Sequence, residues 1–184
     1  LRAMTPNLSS WEFPEVPEAV EQEVKSLPHI ETVFAVRFFT GEAEGQQVMI
    51  TARDFPPNTI TAEQVRYTDE ELRQRLLAGE VTIGSVLAQR TGLKAGDQLT
   101  IATTEGPRKF TIAAIINDYM GGGLVVHLDR RIAEEMLGVR GANAFVIRAE
   151  EGYRDQVEAD LRRIADQYGL LFQSYSQLTR EIDN

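Results

Sequence analysis

The chain has 184 residues, 28 acidic and 19 basic side chains, a net charge of −9 and no cysteine. That length suits one compact domain or two small lobes, long enough to bury roughly 70% of the surface its unfolded form exposes. The acid excess argues against nucleic acid, which asks for a basic patch, and against a polybasic membrane face; the missing cysteine removes disulfides, thiolate metal sites and thiol nucleophiles.

With 42% hydrophobic and 26% charged residues the composition is that of an ordinary folded domain. The longest unbroken apolar run is five residues, Ile112 to Ile116, whereas a spanning helix needs about 20. The chain opens on Leu1 and Arg2 with no signal-peptide pattern, and its lack of an initial methionine suggests a piece of a longer protein, with a processed or trimmed terminus as the alternative.

Prolines punctuate the first 17 residues, where Trp11 and Phe13 are candidates for burial and Ser9–Phe13 for an extended segment. Pro17 sits where a helix tolerates it, and Val20, Val24 and Leu27 form one apolar stripe, with Glu21 and Lys25 paired outside and Pro28 as the stop. Thr32–Phe39 and Gln47–Ala52 read as strands joined through Gly41–Gly45, a hairpin with a loop longer than two residues. Phe55-Pro56-Pro57-Asn58 breaks the pattern, so 54–60 reads as an exposed, flexible linker. Thr68 and Glu71 form a capping box for a helix carrying Leu72, Leu76 and Leu77 inward to Gly79.

Val81–Ile83 is a short strand, and Ser85–Thr91 a short helix with Ser85 as its N-cap and Gly92 as its stop. Gly92–Asp97 turns the chain into the strand Gln98–Ala102, and Glu105–Arg108 into Lys109–Ile116, apolar on both faces and therefore central. A glycine-rich loop, Asn117–Gly123, leads to the strand Leu124–Leu128. Asp129 caps a helix running to Leu137 and stopped by Gly138. The strand Ala144–Ile147 follows, then a helix with Tyr153, Val157, Leu161, Ile164 and Tyr168 on one face, stopped by Gly169. Leu170–Gln173 is a last strand, and 176–182 starts another helix.

The expected architecture is α+β: a split-βαβ, porter-like lobe from residues 1–65 and 141–184, with helices on one face, and an inserted β-rich lobe over 66–140.

Chemistry is sparse. His29 and His127 are distant in sequence and lack a metal-type partner at i+3 or i+4. Ser85 lacks the second glycine of a nucleophile elbow. Gly121-Gly122-Gly123 precedes a strand, not the helix a phosphate loop needs, so it reads as a connecting loop. The acidic pairs Glu42/Glu44, Asp69-Glu70-Glu71 and Glu134-Glu135 read as turn, helix-start and solvated-face charges. Asp118 is the acid beside the glycine loop, with no second acid or base placed by sequence. No catalytic, cofactor-binding or metal-binding residue is assigned. The candidate partner-contact loop is Asp118, Tyr119, Met120, Gly121, Gly122 and Gly123, with 54–60 as a second exposed connection.

The segment Gly84–Thr100, with its Ser85-x-Leu87-Ala88 start and its Gly92-Leu93-x-x-Gly96-Asp97-x-Leu99 turn, is followed by Phe110–Tyr119 and then by Gly123-x-x-Val126-x-x-Asp129-Arg130. This ordered series resembles the extracytoplasmic, MacB-like periplasmic core domain of FtsX-like ABC transporter permeases, over about residues 65–180. The turn itself marks a fold: Gly96 takes an unusual φ and Asp97 bonds nearby amides. The resemblance implies a non-catalytic domain outside the membrane. It implies coupling of ATP hydrolysis by a cytoplasmic ABC ATPase to substrate export or transmembrane signalling, with a periplasmic adaptor or cargo as partner and dimerisation through the permease. It implies no cofactor in this domain and a location on the extracytoplasmic side of the plasma membrane. The alternatives are a free-standing extracytoplasmic module binding a peptide, lipid or solute, and a hydrolase using Asp118 or His127.

Overall fold

A computed structural model describes residues 2–3, 14–56, 69–118 and 120–174. In chain order these form β1 (Arg2–Ala3), α1 (Glu18–Ser26), β2 (Ile30–Ala43), β3 (Gln46–Arg53), α2 (Asp69–Leu77), β4 (Val81–Gly84), α3 (Ser85–Thr91), β5 (Gln98–Ile101) and β6 (Arg108–Ile116). A single 3-10 turn (Met120–Gly123) then precedes β7 (Val125–Asp129), α4 (Arg130–Leu137), β8 (Ala144–Ala149), α5 (Arg154–Tyr168) and β9 (Leu170–Leu171). The fold is α+β and divides into two compact units, Leu1–Ala35 with Gly141–Asn184, and Val36–Arg140.

In the first unit the strands run in the order β9-β1-β8-β2, with β1 antiparallel to both β8 and β9. The unit β1-α1-β2 is split by β8, and β8-α5-β9 is split by β1, so the two interlock. Both helices bury their stripes in one cluster: Val20 and Val24 of α1, Val157, Leu161, Ile164 and Ala165 of α5, with Ala35 and Phe145 from the strands. Helix α5 ends where its pattern ends, at Gly169, whose φ of 65° closes the helix with a bond to Ala165 O. Val16 N donates to Ala142 O at 2.8 Å and Asn143 Nδ2 to Pro14 O at 2.9 Å, fastening residues 14–16 along 142–143.

The second unit is a closed ring of strands. Its order β3-β7-β4-β6-β5-β2 is completed by a β2–β3 pairing, so no strand of the ring is left as a free edge. Pairs β3–β7 and β4–β6 are parallel, and β4–β7 and β5–β6 antiparallel. The interior is filled by Val48, Ile50, Val81, Ile83, Leu99, Ile101, Phe110, Ile112, Val126 and Leu128, with Leu87 of α3 and Ala133 of α4 packed against them. On the outside, Leu72 and Leu76 of α2 pack with Phe55 on Ala113 and Ala114. The β4–β6 ladder passes from Val81↔Ile112 to Thr82↔Ala114, a bulge at Ala113 that puts two small residues under the helix.

Three expectations change. The hairpin loop is short: β2 extends to Ala43 and β3 begins at Gln46, leaving Glu44 (φ 50°) and Gly45 (φ 72°) as the turn. Positive φ at both positions matches the twist of paired strands. Glu44 is held there because its N–H donates to Thr100 O at 3.0 Å while its carboxylate accepts from Thr100 N at 2.6 Å. These bonds also close the ring between β2 and β5.

The division between units falls between Ala35 and Val36, not at 65/66. Strand β3 pairs over five residues with β7, from Met49↔Val125 to Arg53↔Asp129, so the hairpin belongs mostly with the ring. Ser85 is the first residue of α3, not its cap; Gly84 holds the cap position and no side chain caps the helix. The expected Ser9–Phe13 segment, Thr68 of the capping box and the 176–182 helix lie outside the described residues.

Candidate functional site

The Gly92–Asp97 turn is structural. Gly92 closes α3 at φ 75°, and Gly96 has φ 95°, a conformation open to glycine. Asp97 Oδ2 accepts from Lys94 N at 2.8 Å, an Asx-type closure, and Gly96 N and Asp97 O bond Ile112 across to β6 at 2.8 and 2.9 Å. The turn delivers β5 to β6, and β6 leads into the 117–124 connection, where the functional candidates gather.

That connection is anchored at both ends. At its start, Asp118 Oδ2 lies 2.8 Å from His127 Nε2 on β7, with side chains only 20% and 11% exposed. An imidazole N–H donating to a carboxylate is a charge-assisted bond, stronger than a neutral one. At its end, Leu124 O accepts from Met49 N at 2.9 Å. Between them, Gly123 takes φ 78°, and its carbonyl oxygen comes so close to Gly84 that a Cβ built on Gly84 would lie 2.3 Å from it. The glycines therefore serve two needs: a left-handed backbone at Gly122 and Gly123, and close approach of the turn to the β4–α3 junction.

Register explains why His127 is buried. On β7 it stands beside Thr51 of β3 and Thr82 of β4, so the three side chains share a row on the outer face of the ring. Thr51, Thr82 and His127 are buried, and among the described residues Thr51 Oγ1 has no hydrogen-bond partner. Valines and leucines of β7, Val126 and Leu128, alternate with this row and point into the core.

Of the sequence-predicted loop, Asp118, Gly122 and Gly123 are placed as described, Met120 and Gly121 form the backbone of the 3-10 turn, and Tyr119 lies outside the described residues. Asp118 and His127, considered separately in the sequence, come together. Thr51, Thr82 and Gly84 were missed as neighbours, because strand register alone brings them there.

The second candidate connection is corrected in its described part. Phe55 is 6% exposed, buried against α2 rather than free; Arg73 Nε donates to its carbonyl at 2.6 Å, and Asp54 pairs with Arg130 at 2.9 Å. Arg53 lies over the Phe55 ring at 5.1 Å. Burial holds its guanidinium below the ordinary arginine value, and Asp54 opposes that shift. Residues 57–60 lie outside the described residues.

His29 belongs to the first unit. It adopts φ 61°, stacks on Tyr153 at 3.5 Å and bonds Glu150 through Nδ1 at 2.9 Å. The acidic pairs have local roles. Glu70 bonds Arg73 and Gln74, and Glu134 pairs with Arg140 at 2.9 Å. Among the described residues no three His, Asp or Glu side chains are grouped to hold a metal ion, and no helix is long and apolar enough to cross a membrane.

Two solved structures are similar to this chain in fold. The extracellular domain of the noncanonic ABC-type transporter YknZ from Gram-positive bacteria matches with a TM-score of 0.58 at 11% identity, over 85% of this chain and 86% of that one. The periplasmic region of MacB from Actinobacillus actinomycetemcomitans matches with a TM-score of 0.57 at 10% identity, over 90% of this chain and 82% of that one. At these identities the likeness is one of fold. No family model matches the sequence, and no curated protein matches it.

Proposed function

We propose that the chain is a non-catalytic extracytoplasmic domain of an ABC transporter permease. In this reading it couples ATP hydrolysis by a cytoplasmic ATPase to export or signalling across the plasma membrane. The observation that carries this is the two-unit fold, shared almost end to end with such domains. The chemistry supports a mechanical role. Asp118 and His127 bond each other, and the row beside them consists of threonines buried in a sheet. The ring of strands gives a rigid body, and the connection between β6 and β7, exposed at Asn117 and Gly122, is the surface for an adaptor, a cargo or a second permease copy. The domain itself uses no cofactor; ATP is consumed by the ATPase partner.

The test is purification of the full-length parent chain, with its native flanking sequence, from its own host in mild detergent. An ABC ATPase should co-purify, and its ATP hydrolysis should change when Gly122 and Gly123 are both replaced by bulky residues. Recovery as a soluble protein with a bound peptide, lipid or solute would favour a free-standing binding module instead.

A further inference from the structure

We infer that Tyr153, at the start of α5, anchors a docking site in the first unit for a basic, lysine- or arginine-bearing segment of a partner protein. The site stands on that unit alone and not on the transporter reading. Tyr153 is 41% exposed, one of two large apolar side chains left so open among the described residues. One face of its ring lies on His29, 3.5 Å between centroids and 5° from parallel. Solvent therefore reaches the opposite face and the edge.

The aromatic pair is held in place before any partner arrives. His29 adopts φ 61°, a left-handed conformation unfavourable for a residue with a Cβ. Glu150 fixes it twice. Its N–H donates to His29 O at 2.9 Å, and its carboxylate lies 2.9 Å from His29 Nδ1. Tyr153 N–H donates back to Glu150 O at 3.2 Å, and the Tyr153 carbonyl accepts from Val157 N at 3.0 Å. An aromatic side chain fixed in this way binds with little further loss of rotamer freedom, and tyrosine is a residue type on which interface energy concentrates.

Charge decides what the site can take. The first unit has seven basic and fourteen acidic residues, a net of −7 out of the chain's −9, while the second has twelve and fourteen, a net of −2. In the first unit Lys25 pairs with Glu21, Arg154 and Arg162 with Glu158, and Arg163 with Glu23 and Asp160, while Arg148 is exposed on β8. Around the His29–Tyr153 pair, the Glu150 side chain is 51% exposed, and Glu31, Glu151 and Asp155 are exposed as well. Asp155, in the first turn of α5, also offsets the positive end of that helix. A cation over the open face of an aromatic ring is attracted by its π electrons, and the surrounding carboxylates attract further cations of the same segment. The same groups repel an acidic segment.

The experiment titrates the isotope-labelled 184-residue chain with a capped peptide of alternating glycine and arginine at low salt, following backbone amides by NMR. Amides 29–31 and 150–155 should shift together and saturate. Tyr153→Ala should weaken binding roughly three- to fivefold. Tyr153→Phe, which keeps the aromatic ring, should bind as wild type does, and so should Asp166→Asn, which removes an exposed acid near the other end of α5. Unchanged signals from α1 and the rest of α5 show that each variant is folded. Shifts scattered over the acidic faces of α1 and α5, an equal loss in Tyr153→Ala and Asp166→Asn, or no saturable binding overturns the site. So does movement of the same amides by phosphatidylglycerol vesicles, or by concentrating the free chain, in place of the peptide. None of these outcomes touches the permease reading, which is tested by co-purification of the ATPase.

Discussion

Replacing Gly84 with alanine tests how tightly the 120–123 turn is seated. The backbone at Gly84 is ordinary, with φ −66° and ψ 148°, so alanine carries no dihedral penalty and the effect is purely one of space. The new Cβ would lie 2.3 Å from Gly123 O and 2.9 Å from Val125 Cγ1. A carbon and an oxygen in ordinary contact are more than 3 Å apart, so the turn must retreat by about 1 Å. Such overpacking costs roughly 1–3 kcal/mol, or about 2–10 °C in Tm for a chain of this size. Thermal unfolding measures the cost, and hydrogen exchange locates it, in amides 121–124 and not in α5. Gly92→Ala is the contrast: its Cβ meets nothing within 4 Å, and its cost is the left-handed backbone alone, about 1 kcal/mol. If Gly84→Ala unfolds within 1 °C of wild type and leaves exchange at 121–124 unchanged, the close approach is wrong.

In the first unit, Leu161→Ala and Ile164→Ala should each cost about 2–5 kcal/mol by emptying the α1–α5 cluster, read as early proteolysis outside 36–140. Asp97→Ala removes the bond to Lys94 N and should cost about 1 kcal/mol, measured by urea unfolding, with the ring intact. The Tyr168 hydroxyl is held above the ordinary tyrosine value chiefly by its hydrogen bond to Glu23, with burial and the Glu23 charge adding to it. A raised folded value means that this contribution is complete below the unfolded value near 10 and is lost as pH rises through the folded one. Phenol absorbance should therefore show one tyrosine titrating late, and Tyr168→Phe or Glu23→Gln should abolish that late step.

Local signals in the sequence translated directly into structure. Asp129 accepts from Arg131 N at the start of α4 and Gly138 stops it at φ 68°; one side chain and one glycine determine those ends. The stripe of α5 and the Gly92–Asp97 turn are local in the same way. The Glu44-Gly45 turn was less legible, because a glutamate at φ 50° is stable only through Thr100, more than fifty residues away. The parallel pairing of β3 with β7, and hence the boundary inside β2, has no local signature at all. The candidate site divides likewise. The loop 118–123 stands out by its glycines, but the meeting of Asp118 with His127 and the row Thr51–His127–Thr82 follow from strand register, which one sequence does not encode pairwise. Phe55 reads as linker from its two prolines, yet Leu72 and Leu76 bury it.

The central claim is that this domain stands outside the membrane on an ABC permease. The 184 residues contain no cysteine, so once any cysteines of the flanking sequence are replaced, a single one in this domain gives an unambiguous signal. Glu151→Cys, on an exposed turn of the first unit, would be placed in the full-length parent chain in intact host cells and treated with a membrane-impermeant maleimide. In a Gram-negative host the outer membrane is first made permeable. Labelling without opening the inner membrane is the result predicted here. Labelling only after lysis of that membrane would contradict it.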